Sequence, residues 1–336
     1  MRSRPLRPRR LGLPDRSLPG HRVSRDLHLV RSAPSGGGSR PRRRPLSRLR
    51  GALLPATIRA FAFLFGLLPH ALALAVGRTL GRLAWRLSGR DRRRSLEHLA
   101  LALPELPEEE RLRIARAGFL FAGMNLAELL HLLKRSRAEI LSHLEVEGWE
   151  NVAAAQAAGR SILILTGHCG NWELIGTALA EGGVPPAAIA RPIDDAGLQK
   201  LLVDLRSHLG TTTIARGTRG SARQLLEVLR GGGALAMLID QDTKVDGVWV
   251  PFFGRPAFTP VGAAEIALRQ KAHVLPSFAE RRPDGSHLIR FLPALDLPQD
   301  PQEATALMTA KIEEQVRRRP EQWVWWHKRW RRQAGA

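Results

Sequence analysis

The spacing of apolar positions changes character twice along this chain of 336 residues. Up to about residue 50 there is no period at all. Arginines alternate with proline, glycine and serine, as in RSAPSGGGSRPRRRP at 31–45. Such a segment cannot bury enough apolar surface to offset its ordering entropy, so 1–50 reads as a disordered, arginine-rich arm. Between Arg59 and Arg78 the sequence runs without a formal charge, AFAFLFGLLPHALALAVG. As a helix at about 1.5 Å per residue, that run is about 27 Å long, barely the hydrocarbon thickness of a bilayer. Pro69 and His70 sit at its middle, where proline removes a helical hydrogen bond and kinks the segment. Arginines flank it equally on both sides, so charge asymmetry gives no orientation. We read 51–95 as a membrane-anchoring helical segment. A re-entrant anchor, a short spanning helix and a buried helix all remain open.

From about residue 96 helical and strand periods alternate. Leu106-Pro107 followed by Glu108, Glu109 and Glu110 opens a helix, with proline early and acids at the positive end of the dipole. Apolar positions Leu120, Met124, Ala127 and Leu130 carry it to about Lys134. Ser161–Leu165 is a short buried strand, and Ala187–Ala190, Thr212–Ala215, Ala234–Ile239 and Val274–Phe278 are further strand candidates. Helices near 172–181, 196–209, 221–230 and 260–271 alternate with them. Asn171 is the expected cap of the first of these, and Thr259-Pro260 the expected start of the last. The alternation predicts an α/β catalytic domain over 96–336, with a mostly parallel central sheet flanked by helices.

Charge sharpens this division. The chain carries a formal +21. Residues 1–50 hold 15 arginines against Asp15 and Asp26, a net +13, which leaves +8 for the rest. A protein coating nucleic acid over its whole surface is therefore disfavoured, although the arm suits either nucleic acid or an anionic membrane. It does not resemble a signal peptide, since no apolar stretch with a small-residue cleavage site follows its first arginines. One cysteine, Cys169, excludes an intrachain disulfide framework and any four-cysteine metal site.

The candidate chemistry begins where the first good strand ends, at TGHCGNWE, Thr166 to Glu173. Loops leaving the carboxyl ends of strands in open α/β sheets are where ligands commonly bind. His168 in that loop and Glu173 in the first helical turn suit general-base work, a carboxylate fixing the imidazole tautomer. No G-x-S-x-G elbow occurs, and Cys169 is poorly placed for activation by its neighbour His168. Asp240-Gln241-Asp242 closes an apolar strand. Paired acids could take Mg²⁺, but no third ligand is identifiable, and support of basic side chains at the site, Arg191 and Arg216, is preferred, with Asp242 the participant. Phe252 and Phe253, in a loop between prolines, line an apolar pocket or fill the core. Trp323, Trp325, Trp326 and Trp330, interleaved with basic residues, suit core packing plus a membrane interface. Single-stranded nucleic acid is a lesser fit.

H-x₄-E after an apolar strand resembles the lysophospholipid-acyltransferase superfamily, and the branch of lipid A late acyltransferases (lauroyl and myristoyl transferases) fits best. RRRSLEHLALALPELPEEER at 92–111, ARP at 190–192, LRGGGALAMLIDQD at 229–242, VPFFGRPAFTPVGAAEIALR at 250–269 and RRRPEQWVWWHKRW at 317–330 follow that branch in order. The resemblance implies transfer of a fatty acyl group from acyl carrier protein to a hydroxyl of a membrane lipid. His168 would be the base, Glu173 its orienting carboxylate, and no acyl-enzyme would form. Arg191 and Arg216 would receive substrate phosphate, for which guanidinium offers bidentate donors, and Asn171, Asp242, Phe252 and Phe253 complete the expected substrate-binding set. No cofactor and no metal is implied. The expected partners are acyl carrier protein, a lipid acceptor and the membrane surface, with no specific nucleic acid. The expected location is the inner membrane, with the site on its cytoplasmic face. Acceptors such as a phosphatidylinositol mannoside or an ornithine-type lipid, with acyl-CoA as donor, stay open, as does a nucleic-acid-binding protein built on the arm.

Overall fold

The computed structural model of the protein describes residues 61 and 63–332. The arm at 1–50, and the anchor segment up to 60, lie outside them. Helix α1 (His70–Leu87) begins directly after Pro69, which serves as its N-cap with φ −57°. The proline therefore starts a helix rather than kinking one, because its missing N–H falls where no intrahelical bond is made. After α2 (Gly89–Ala102) comes the long α3 (Glu108–Leu132), opened by Pro107 and three glutamates as its sequence dictates. Buried Ala73, Leu74, Gly77 and Gly81 seat α1 on α3. The contact is backbone to backbone: a Cβ on Gly77 would lie 2.6 Å from the Gly123 carbonyl oxygen.

The opposite face of α1 exposes Leu72, Leu80, Leu83 and Leu87, and Phe61, Phe63, Leu64 and Leu67 are exposed just before it. Among the described residues no helix is long and apolar enough to cross a membrane. Half of the expected anchor is thus an amphipathic helix packed on the body. The expected boundary at 95/96 falls inside α2, whose Ser95, His98 and Leu99 are all buried.

After the short α4 (Arg137–Leu141), β1 (Leu144–Glu147) and α5 (Trp149–Ala157) lead to β2 (Ile162–Thr166), all five residues of which are buried. Then α6 (Glu173–Glu181), β3 (Pro186–Ala190), α7 (Ala196–His208), β4 (Thr212–Ala215), α8 (Ser221–Arg230) and β5 (Ala234–Leu238) alternate as expected. An antiparallel hairpin follows, β6 (Gly247–Phe252) and β7 (Arg255–Pro260). The chain closes with α9 (Gly262–Gln270), β8 (His273–Arg281), β9 (His287–Phe291) and α10 (Pro301–Arg318).

The central sheet has seven strands in the order β1-β9-β8-β2-β5-β3-β4. Every neighbouring pair is parallel except β8 and β9, which form the antiparallel turn-back. The expected α/β class and mostly parallel sheet are present. Two local expectations differ. Thr259 and Pro260 end β7 instead of opening α9, and Val261 occupies the N-cap. The segment VPFFGRP is a hairpin rather than a loop. Phe253 (φ 53°) and Gly254 (φ 67°) form its two-residue turn, the positive-φ pair that matches the twist of the strands.

Candidate active site

Strands β2 and β5 are parallel neighbours in a register that sets Thr166 opposite Leu238. Two residues further along each strand, the chain places His168 beside Asp240. Asp240 Oδ1 accepts the His168 Nδ1–H at 2.7 Å, and Oδ2 accepts the His168 backbone N–H at 2.7 Å and the Trp323 Nε1–H at 2.8 Å. An ionised carboxylate only accepts, so the Nδ1 proton is fixed and the ring's Nε2 carries the lone pair. Burial opposes the charge on Asp240. The His168 ring outweighs it, aided by the His168 backbone and Trp323 N–H groups, and holds the carboxyl well below its usual range. The result is a buried, ionised carboxylate behind a partly exposed imidazole.

The loop carrying His168 is fastened on both sides. Gly170 (φ 59°) donates its N–H to the Gln322 carbonyl at 2.9 Å, and its own carbonyl accepts from Asn125 Nδ2 at 2.7 Å. A side chain at Gly170 would strike the Ala279 carbonyl, so glycine is required twice over. Asn171 does not cap α6. Trp172 is the N-cap, and Asn171 Nδ2 donates to the buried Glu128 at 2.7 Å. Arg281 and His287 also bond Glu128; they outweigh its burial and keep it ionised. Cys169 is buried, and burial, with Asp240 and Glu280 nearby, pushes its thiol well above the usual value. It is a packed bystander, as its neighbouring position to His168 implied.

Glu173 departs from its expected role. Its carboxylate is held by Arg206 of α7, whose Nε and Nη2 donate at 2.9 and 2.7 Å, both side chains being largely buried. Placed in the first turn of α6, Glu173 faces the helix that covers the sheet, not the imidazole. Asp240 is the carboxylate on His168. Asp242, expected to support the site arginines, instead accepts from Arg331 at 2.9 Å and from the Arg332 backbone at 3.2 Å.

Arg191 and Arg216 follow β3 and β4, whose register sets Ala190 opposite Ala215. The Arg216 N–H donates to the Ala190 carbonyl at 2.8 Å, so both arginines sit at the carboxyl ends of adjacent strands, like His168 and Asp240. Arg216 lines a cavity of about 380 Å³ that His168 and Gln241 also line. Arg191 is exposed and does not line that cavity. The cavity's walls are mostly aliphatic, with Ile189, Ile214, Leu225, Met237 and Ile266, and Asp246 and Glu265 also lie on the lining.

Phe252 and Phe253 take no part in that pocket. Both are buried, Phe252 packing on Trp323 at 5.7 Å between ring centroids and under the Arg329 guanidinium at 4.8 Å. Trp323 and Trp325 are buried with them, while Trp326 and Trp330 are half-buried. The tryptophan segment thus packs on the core and reaches the site through the Trp323 indole. Arg329, fully buried, donates to the Phe258 carbonyl and Thr259 hydroxyl at 2.7 and 2.6 Å. Among the described residues no group of three or more histidines, cysteines or acids is arranged to hold a metal ion.

Sequence reasoning gave Gln241 and His327 no part in the site, took Trp323 for core or membrane packing, and saw Asp240 only as a ligand or a brace. The signal for Asp240 was its place two residues beyond a buried strand, the offset His168 has from β2. His327 Nδ1 and His168 Nε2 lie 2.6 and 3.1 Å from Gln241 Nε2, so the C-terminal segment supplies a second imidazole beside the first. Burial, with His168 close by, pushes the His327 ring down to about 3.

These features meet a clear counterpart among known proteins. Residues 46–332 match the family described as bacterial lipid A biosynthesis acyltransferase. A lipid A biosynthesis acyltransferase of Haemophilus influenzae is 25% identical over 267 residues, covering 79% of this chain and 83% of that protein. A lipid A biosynthesis lauroyltransferase of Escherichia coli is 28% identical over 271 residues, 79% of this chain and 87% of its own. A phosphatidylinositol mannoside acyltransferase of Mycobacterium tuberculosis is 27% identical over 190 residues, 55% of this chain and 59% of its own. With a histidine at the mouth of a largely aliphatic cavity and a family match running through all of the described residues, this chain is an acyltransferase and belongs to the bacterial lipid A biosynthesis acyltransferase family.

Proposed function

We propose that the protein transfers a fatty acyl group from acyl carrier protein to a hydroxyl of a lipid A precursor. The observation that carries this reading is His168, with Nδ1 committed to Asp240 and Nε2 facing a largely aliphatic cavity of about 380 Å³. The acyl chain lies among Ile189, Ile214, Leu225 and Ile266. The acceptor hydroxyl gives its proton to His168 Nε2 as its oxygen attacks the thioester carbonyl carbon. The C–S bond then breaks, and the thiolate recovers that proton from the imidazolium, which Asp240 stabilises meanwhile. No acyl-enzyme forms, in keeping with the buried thiol of Cys169. Arg216, on the cavity wall, and Arg191, on the rim beside it, receive the phosphate groups of donor and acceptor.

The +8 outside the first 50 residues suits steering of an acidic carrier. The exposed leucines of α1, with Arg78, Arg82 and Arg86 on the same helix, suit contact with a membrane, the acceptor's phase. We place the site on the cytoplasmic face of the inner membrane, where acyl carrier protein is available. The likeness to phosphatidylinositol mannoside acyltransferases favours one second reading, the same transfer to a mannosylated lipid.

Mass spectrometry of envelope lipids, with the protein present, absent and as His168→Ala, tests both readings. A gain of one acyl unit on lipid A that the substitution abolishes is the expected result. The same gain on a mannosylated lipid selects the second reading. A His168→Ala protein that keeps most of its transfer rate overturns the assignment of the base, since losing a general base costs roughly 10²–10⁴-fold.

A further inference from the structure

Gln241 stands between two imidazoles. Its Nε2 lies 3.1 and 3.4 Å from the ring nitrogens of His168, and 2.6 and 3.1 Å from those of His327. The lone pair and N–H of an imidazole point apart in the ring plane, so an atom nearly equidistant from both nitrogens lies over the ring. The two rings stand at 89° with centroids 4.7 Å apart, and the amide fills the angle between them. An N–H group belongs there because ring faces carry negative potential, which repels a carbonyl oxygen.

Two consequences follow from that placement. The lone pair on His168 Nε2 stays open to a substrate hydroxyl. The Gln241 amide, a wall of the same cavity, rests its Nε2 on the two rings and has no oxygen acceptor among the described residues, so a substrate oxygen meets no competing oxygen for its N–H groups. His327 stays neutral at working pH and backs the amide without adding charge.

Resting on the acyl-transfer reading, the geometry points to the Gln241 carboxamide as the donor that holds the thioester carbonyl oxygen while it becomes negative. The attacking oxygen and the oxyanion share one carbon in the tetrahedral intermediate. The base for the first and the donor for the second must therefore stand within a few ångströms on one wall, as His168 and Gln241 do. As the hydroxyl oxygen bonds to the carbonyl carbon, its proton passes to His168 Nε2 and the carbonyl π pair moves onto oxygen. The Gln241 N–H donates to that oxygen. The pair returns as the C–S bond breaks, and the sulfur leaves with the proton from His168. The amide is unchanged over the cycle. It contributes only where charge develops, so it acts on the rate of the step and little on the ground state.

The test is steady-state acyl transfer by the full chain, with an acyl carrier protein thioester as donor and a lipid A precursor in detergent micelles as acceptor. Gln241→Ala removes the donor, and Gln241→Met does so at similar size should the alanine protein fold poorly. Gln241→Glu puts negative charge where the oxyanion forms. The first two are expected to lower kcat about 10²–10³-fold, with KM for either substrate moving by less than about twofold and the midpoint of the pH–rate profile unmoved. Gln241→Glu is expected to be at least as slow. A Met or Ala variant within about threefold of the wild-type kcat overturns the inference. So does a loss expressed as a shifted pH midpoint, which places the amide's effect on the base. Absence of transfer by the wild-type protein overturns the proposed function and this inference with it. Transfer lost in His168→Ala but kept in Gln241→Met overturns this inference alone.

Discussion

Replacing Asp240 by asparagine separates the two carboxylates that compete for the role of partner to His168. Three donors converge on Asp240: the His168 Nδ1–H, the His168 backbone N–H and the Trp323 Nε1–H, all between 2.7 and 2.8 Å. Asparagine offers one oxygen and one NH₂ in the same volume. If the oxygen keeps the backbone and indole donors, the NH₂ faces Nδ1 and forces the other tautomer, in which Nε2 carries the proton and cannot act as base. If the oxygen faces Nδ1, two buried donors lose their acceptor. In either case the negative charge behind the imidazolium is gone. At about 4 Å and an effective dielectric near 20, that charge is worth about 4 kcal/mol, or about 10³-fold in rate. Glu173→Gln removes a charge that is bonded to Arg206, so its effect falls on the seating of α6 against α7. We expect Asp240→Asn to lower kcat by about 10³-fold at nearly constant KM, and Glu173→Gln to lower the melting temperature with a smaller loss of kcat. The assay is single-turnover acyl transfer alongside thermal unfolding of both proteins. An Asp240→Asn rate within about tenfold of wild type, or a Glu173→Gln loss exceeding it, refutes the argument from geometry.

The cavity and the half-buried His70 yield two further expectations. Leu225 lies half-buried on α8 at the cavity wall. Leu225→Trp should shift preference toward shorter acyl chains, by about fourfold for each methylene displaced at about 0.8 kcal/mol, measured by competition between carrier thioesters of different length. Burial pushes His70 down to about 4, so between pH 6.5 and about 4 the unfolded chain holds a proton there that the folded chain lacks. Stability therefore falls as pH falls through this window. In thermal melts from pH 4.5 to 6.5, His70→Gln should take up up to one proton fewer on unfolding; an unchanged slope counts against a neutral, half-buried His70.

The alternating elements from 106 onward were legible because each carries a local signal. Pro107 and its three glutamates, the apolar run Ile162–Leu165 of strand β2 and the glycines after α8 each state their structure within a few residues. The hairpin β6–β7 was not legible. Its prolines at 251, 256 and 260 argue against a strand, and they are tolerated because the hairpin is a separate two-stranded sheet. Its turn is Phe253-Gly254, without the asparagine or aspartate that announces such turns. The edge strand β1, LEVE, alternates apolar and acidic residues, but four largely exposed positions are too few for the pattern to stand out.

The site illustrates a deeper reason for partial legibility. His168 and Glu173 are five residues apart, and that proximity made the pair look like a dyad. Nearness in sequence across a strand-to-helix turn constrains direction as much as distance. His168 stands at the end of β2 with its ring toward the cavity, while Glu173 already belongs to α6 and turns toward Arg206. The partner comes from 72 residues away, since β5 lies beside β2 in space although β3 and β4 intervene in sequence. A parallel neighbour repeats the offset of its partner strand, so residues equally far beyond two adjacent carboxyl ends meet. That rule joins His168 to Asp240, and Arg191 to Arg216, one residue beyond β3 and β4. Once the strand order is known, both pairs follow from counting, and these four residues fall on one rim because all four strands end there.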